Sequence, residues 1–256
     1  MFHKALHKEQ QTAARWLYSA AGQLFMRAEQ RTIDRLLRPL FGVHLLQLGI
    51  LQQTELFQAS QINHCFALSP KATAGGVYAA LSDYSQLPLE QHSVDCLLVH
   101  HVLEFAEDPH SILREAARVV RPEGVIVVVL FNPWSMLGLQ QKLFGRWQKK
   151  TWTMASPGSS KLSDWLRLLD FSVDSVEHCW HLPIIHRPAL AEKMLKFERP
   201  LHRITRPFGA SSIVCAKKRS STFTPVRRRW SSLAPGLSVP IMTPSTRAAR
   251  ETISND

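Results

Sequence analysis

The chain has 256 residues, 45% of them hydrophobic and 20% charged, enough apolar material for one sizeable core and too little charge for wholesale disorder. Thirty-one Lys and Arg against 20 Asp and Glu give a net charge of +11, which favours anionic partners such as nucleic acid, phosphorylated ligands or acidic membrane surfaces. No apolar run approaches the roughly 18 residues of a membrane span, and the first residues lack the apolar segment of a secretory signal, so a cytoplasmic chain without integral membrane contact is expected.

Residues 10–40 carry Ala13, Trp16, Leu17, Ala20, Leu24, Phe25, Ala28, Ile33, Leu36, Leu37 and Leu40 at spacings of three and four. That pattern predicts one or two amphipathic helices ending before Phe41. After Gly42 the pattern becomes continuous apolar runs: Val43–Leu48, Ile62–Leu68, Ser93–Val99 and Gly124–Phe131. Continuous rather than alternating runs predict strands covered on both faces, as in a parallel sheet. Between the third and fourth runs, Asp108 can cap a helix that Pro109 opens, with Leu113, Ala116, Ala117 and Val120 as its buried stripe. Arg121-Pro122-Glu123-Gly124 then reads as a turn in which the glycine takes the left-handed geometry. Strand, helix, turn and strand at this spacing make a βαβ unit.

A further helix is predicted over 161–169, an imperfectly alternating strand over 171–179, and a last strand over 211–217. An α/β fold with a doubly wound, mostly parallel sheet and a late antiparallel edge strand accommodates them. From Lys217 the composition changes to Ser, Thr, Pro and Arg, with eight cations against two acids. Such a basic segment is expected to be disordered. The expected organisation is an N-terminal helical segment over 1–40, an α/β domain over 41–219 and a basic tail over 220–256.

Cys65, Cys96, Cys179 and Cys215 form no CxxC pair, so free, buried thiols are expected. His178, His181 and His186 lack a Cys or carboxylate that would complete a recognisable ligand spacing. No metal site is expected. Arg227-Arg228-Arg229-Trp230 offers phosphate contacts and a stacking ring, so RNA or another polyanion is a candidate partner of the tail.

The segment from Asp83 to Gly124 resembles the class I S-adenosylmethionine-dependent methyltransferases of the type 11 kind. Asp83-Tyr84 precedes Leu87-Pro88; Val94-Asp95 opens a strand ending in Val99-His100-His101; and Leu113 to Gly124 is similar to that family's helix-to-strand junction. Trp165-Leu166-Arg167-Leu168-Leu169-Asp170-Phe171 resembles a later junction. Leu45 to Gly49, His101 to Phe105, Asp108-Pro109-His110 and Phe131 to Ser135 are similar to one uncharacterised bacterial branch. The resemblance implies a Rossmann-like methyltransferase sheet, S-adenosylmethionine as cofactor and transfer of its methyl group to an unidentified acceptor.

The resemblance further implies that Leu48, Gly49, Asp83, Tyr84, Val99 and His100 line the cofactor, with Asp83 toward the adenine. His100 is a candidate general base, and Glu104 a candidate for orienting a histidine ring or capping the loop. Because His100 and His101 are adjacent, one is expected to face the cleft and the other the core. Asn132-Pro133-Trp134 closes the strongest strand, where Trp134 either walls an acceptor pocket or covers the sheet. The family's glycine-rich loop is altered: Gln47 stands at the acid, only Gly49 remains of its glycines, and no acid lies near Leu68. A non-catalytic binding or adaptor protein on the same scaffold is the alternative.

Overall fold

The computed structural model describes residues 2–51, 54–69, 78–81, 84–136, 138–139, 156–181 and 208–220. The apolar stripe of residues 10–40 folds as two helices, α1 (Phe2–Leu17) and α2 (Ala20–Leu37). The break falls at Ser19, whose extended backbone and side chain accepting from the Gly22 N–H satisfy one of the donors that a helix start leaves open. Strands β1 (His44–Gly49), β2 (His64–Ser69), β3 (Tyr78–Leu81) and β4 (Val94–His100) follow. After a short 3-10 turn over Leu103–Phe105 come α3 (Pro109–Val119), β5 (Val120–Phe131), α4 (Gly158–Leu168), β6 (Phe171–Cys179) and β7 (Ser211–Lys218).

The seven strands form one sheet in the order β3-β2-β1-β4-β5-β7-β6. The first five are mutually parallel, and β7 runs antiparallel to both β5 and β6. The antiparallel strand thus lies one position in from the edge, and β6 is the edge itself. β3 has no counterpart in the sequence reading, because Tyr78-Ala79-Ala80-Leu81 is too short and too weakly β-forming to register as a strand. The chain divides into two compact units, Met1–Ser221 and Thr222–Asp256, and the second, with the basic tail, lies outside the described residues.

Strand alternation splits the core in two. Leu45, Cys96, Leu98, Val127 and Val129 pack on one face with Phe25, Ile33 and Leu37 of α2 and Ala13 and Leu17 of α1. Leu46, Leu97, Val99, Ile126 and Val128 pack on the other with Leu113 and Ala116 of α3 and Leu162 and Leu166 of α4. Each fully buried aliphatic side chain contributes about 1.5–3 kcal/mol, so neither face is stable uncovered. Asp108 caps α3 through the His110 N–H at 3.0 Å, and Pro109 opens the helix. At its other end, Lys218 of β7 donates to the carbonyls of Ala117 (2.5 Å) and Val120 (2.8 Å).

The expected turn at Arg121 to Gly124 is built differently. Val94 pairs with Val120 and Cys96 already pairs with Val125, so the intervening residues bulge out of a continuous strand. The left-handed position is Glu123, at φ 65°, rather than Gly124. Gly124 is needed for a different reason: a Cβ there would lie 2.8 Å from Val120 Cγ1 and 2.9 Å from the Asp95 carbonyl oxygen.

Asp95 fixes where β1 begins. Its Oδ2 accepts the backbone N–H groups of Val43 (2.9 Å) and His44 (2.8 Å), while Arg121 lies 2.6 Å from Oδ1 as an ion pair off hydrogen-bond alignment. Asp95→Ala is expected to leave the two amides without their acceptor and to cost roughly 1–3 kcal/mol in urea unfolding monitored by circular dichroism. An unchanged midpoint would show that water replaces the carboxylate.

Candidate active site

The sheet reverses its winding between β1 and β4, and ligands of doubly wound sheets bind outside the carboxyl ends of the strands at such a point. Gly49 and His100 are the residues paired across it. The Gly49 carbonyl accepts a hydrogen bond from the Tyr84 hydroxyl at 2.7 Å, so the segment after β3 is tied to the end of β1. A Cβ built on Gly49 would meet His100 Cβ and its carbonyl oxygen at 3.8 Å and Gln47 Nε2 at 3.9 Å, all ordinary contacts.

Leu48 and Val99 are fully buried against α3 and α4, so only their peptide groups reach the strand ends. Tyr84 is buried as well. Asp83 lies outside the described residues, as do Gln52 and Gln53 of the loop after β1.

Gln47 has a defined local task. Its Nε2 donates to the Thr54 carbonyl at 2.7 Å and its Oε1 accepts the Leu56 N–H at 2.9 Å. The amide therefore clamps both ends of the loop's return, which a carboxylate could not do because it has no donor. Ile50 and Leu51 are buried in the cluster shared with α1 and α2.

His100 and His101 do not divide between cleft and core. Parity along β4 turns His100 to the α2 face, with Cys96 and Leu98. The chain leaves the strand at His101 with φ 52°, and this left-handed step breaks the alternation and brings the second ring to the same face. Both rings meet Glu29 of α2: His100 Nε2 lies 3.1 Å from Oε2 and His101 Nε2 lies 3.0 Å from Oε1. Glu104 closes the network, its Oε1 accepting from His101 Nδ1 at 3.0 Å and from the Phe131 N–H at 2.7 Å. Phe131 stacks on the His101 ring at 3.8 Å between centroids. The four polar side chains are between 0% and 3% exposed, which makes this the most deeply buried charge cluster among the described residues.

Its electrostatics follow from mutual compensation. Burial by itself would raise the Glu29 carboxyl, but the charge of His101 and the hydrogen bonds from both rings outweigh it and bring it to about 2. Burial would lower His101, yet the Glu29 charge and the bonds to Glu104 and Glu29 raise it to about 9. His100 goes down, through burial and the neighbouring His101 charge. His101 thus lies between the oxygens of Glu29 and Glu104, with the His100 ring beside it.

Glu29 was not singled out in the sequence. The signal was present: it stands four residues after Phe25 and four before Ile33, an acid inside the buried stripe of α2. Asn132 accepts the Trp134 N–H at 3.0 Å through Oδ1 and donates through Nδ2 to the Gly209 carbonyl at 2.9 Å, fixing the turn after β5. Trp134 is 73% exposed, so it does not cover the sheet. Of the histidines further on, His178 contacts the Ser212 hydroxyl through Nδ1 at 3.0 Å, His181 is buried, and His186 is outside the described residues. None of the four cysteines is in a disulfide: Cys96, Cys179 and Cys215 are buried, the Cys179 thiol donating to the Thr32 hydroxyl at 3.1 Å, and Cys65 is partly exposed.

Two substitutions separate these roles. Glu29→Ala is expected to cost about 3–5 kcal/mol in denaturant unfolding, because an imidazolium loses one of its two buried counter-ions. Gln47→Glu is expected to cost roughly 1–3 kcal/mol by setting a carboxylate against the Thr54 carbonyl. A Gln47→Glu protein as stable as the parent would show that the loop re-forms without its clamp.

Residues 58–128 match the family described as a methyltransferase domain, a span running from just before β2 into β5. An uncharacterised Escherichia coli protein, YafS, is 34% identical over 158 residues, 59% of this chain and 62% of that one. The match thus spans less than two thirds of that relative's length. Among solved structures, an S-adenosylmethionine-dependent methyltransferase from Thermotoga maritima superposes with a TM-score of 0.56 at 17% identity, covering 86% of this chain and all of that one. One from Mesorhizobium loti gives 0.51 at 14% identity, covering 75% of this chain and 98% of that one. No helix among the described residues is long and apolar enough to cross a membrane. The chain thus carries a segment similar to the methyltransferase-domain family over residues 58–128 and shares the fold of class I S-adenosylmethionine-dependent methyltransferases.

Proposed function

We propose that the chain binds S-adenosylmethionine across the carboxyl ends of β1 and β4 and transfers its methyl group to an acceptor molecule. The observation that carries this reading is the Gly49–His100 pairing at the point where the sheet reverses, with contact space left over Gly49. Bound there, the cofactor supplies a methyl group already activated on a sulfonium. The protein then has mainly to orient two reactants and exclude water.

The peptide groups of Leu48, Gly49 and Val99 are the strand-end contacts in this reading, Tyr84 braces the wall by holding the Gly49 carbonyl, and Asp83 beside it is the adenine contact. His100 and Glu104 are positioning residues: both are buried and committed to partners inside the protein, so neither is offered to an acceptor's proton. They hold the end of β4 in place, and through it the crevice.

A second reading, a binding or adaptor protein on this scaffold, draws on the loop after β1. There Gln47 is spent on Thr54 and Leu56, and Ile50 and Leu51 are packed into the core.

Calorimetric titration of the full chain with S-adenosylhomocysteine decides between them. Saturable heat is expected, and Gly49→Val should weaken the affinity about tenfold or more, near 1.4 kcal/mol, at an unchanged melting temperature. The absence of heat at millimolar ligand would exclude the cofactor reading and leave the adaptor.

A further inference from the structure

The network at the end of β4 has more acceptors than donors. Glu29 directs one oxygen to each imidazole, Glu104 Oε1 takes two N–H groups, and Glu104 Oε2, also buried, has no hydrogen-bond partner among the described residues. A buried carboxylate oxygen left without a donor is costly, so the cluster favours a further electropositive partner.

The donor set and spacing suit a metal. His100 Nε2, His101 Nε2 and a Glu29 oxygen lie within 4.8 Å of one another. Zinc ligands about 2.0–2.1 Å from the ion in a tetrahedral array stand roughly 3.4 Å apart. The observed oxygen-to-nitrogen separations of 3.0 and 3.1 Å need widen by only a few tenths of an ångström. His101 also carries the arrangement that metal-bound imidazoles show: its far nitrogen, Nδ1, donates to a carboxylate, which fixes the ring and turns the lone pair of Nε2 toward the site.

We propose that Glu29, His100 and His101 bind a divalent transition metal of the zinc class, Glu29 through one oxygen and each histidine through Nε2, with Glu104 orienting His101. Two imidazoles select a borderline ion over magnesium or calcium. The ion displaces the proton on His101 Nε2, which leaves to solvent, while the Nε2 proton of His100 moves to Nδ1, so that both rings present a lone pair to the metal. The three donor atoms come from buried side chains, and the fourth tetrahedral position falls to a water. Its work is to fasten α2 to the end of β4. The inference does not depend on the cofactor reading, since it is argued from Glu29, His100 and His101 alone.

The test uses the full chain, freed of metal by chelator and titrated with zinc chloride. About one zinc per chain by elemental analysis is expected, with a melting temperature raised by roughly 5–10 °C at zinc a hundredfold above its dissociation constant. Cobalt(II) should give a visible ligand-field band saturating at one equivalent. Glu104→Gln should keep the band while weakening zinc about 10–100-fold, and His100→Gln should abolish it.

If His100→Gln does not fold, saturation of the wild-type cobalt band at one equivalent still decides. No band, and no thermal shift with zinc, would overturn the proposal and leave a proton-only network. A band that survives both Glu29→Gln and His100→Gln would place any metal elsewhere and overturn it equally.

Discussion

A carboxylate with no access to water has to be met by charge or by donors, and Glu29 is such a carboxylate in the middle of an otherwise apolar helix face. Everything at the carboxyl end of β4 is arranged around that requirement. The left-handed backbone at His101 costs of order 1 kcal/mol, yet it is what lets two consecutive histidines reach one glutamate. Glu104 then serves the opposite nitrogen of His101 and the Phe131 amide together, so the ends of β4 and β5 are tied to each other and to α2. The N-terminal helices are therefore part of the domain's structure, fastened by specific polar contacts as well as by apolar burial.

The same end of the sheet is where a doubly wound fold exposes a crevice. Gly49 sits at its mouth beside His100, and the fastening described above lies directly beneath. The polar residues nearest the crevice are consequently divided by task. Tyr84 and Gln47 fix the segments that enclose it, through Gly49, Thr54 and Leu56, while the histidine–glutamate cluster holds its floor. In the proposed methyl-transfer reading, an electrophile that arrives pre-activated tolerates such a division, because precise placement contributes more than proton transfer.

Much of the architecture was legible in the residues. Apolar runs at β1, β2, β4, β5 and β7, the Asp108-Pro109 helix start and the stripes of α2 and α3 are local patterns, and local patterns survive folding when burial is strong. β3 was not legible, being four residues without a β-branched side chain. The turn before β5 misled in one respect: the glycine marked a close approach to Asp95, while the left-handed position fell to Glu123.

By itself the sequence determined the fold class, the family resemblance and the existence of six of the seven strands, because hydrophobic periodicity and turn chemistry are properties of neighbouring residues. It could not determine what Glu29, Gln47 or Asp95 do. The partners of Glu29 and Asp95 lie 71 and 51 or more residues away and are brought within reach only by the packing of α2 and β1 against β4, while those of Gln47, 7 and 9 residues on, depend on how the loop after β1 returns. Tertiary structure also decided that both histidines turn the same way, since a single positive φ overrides the alternation that a strand would otherwise impose.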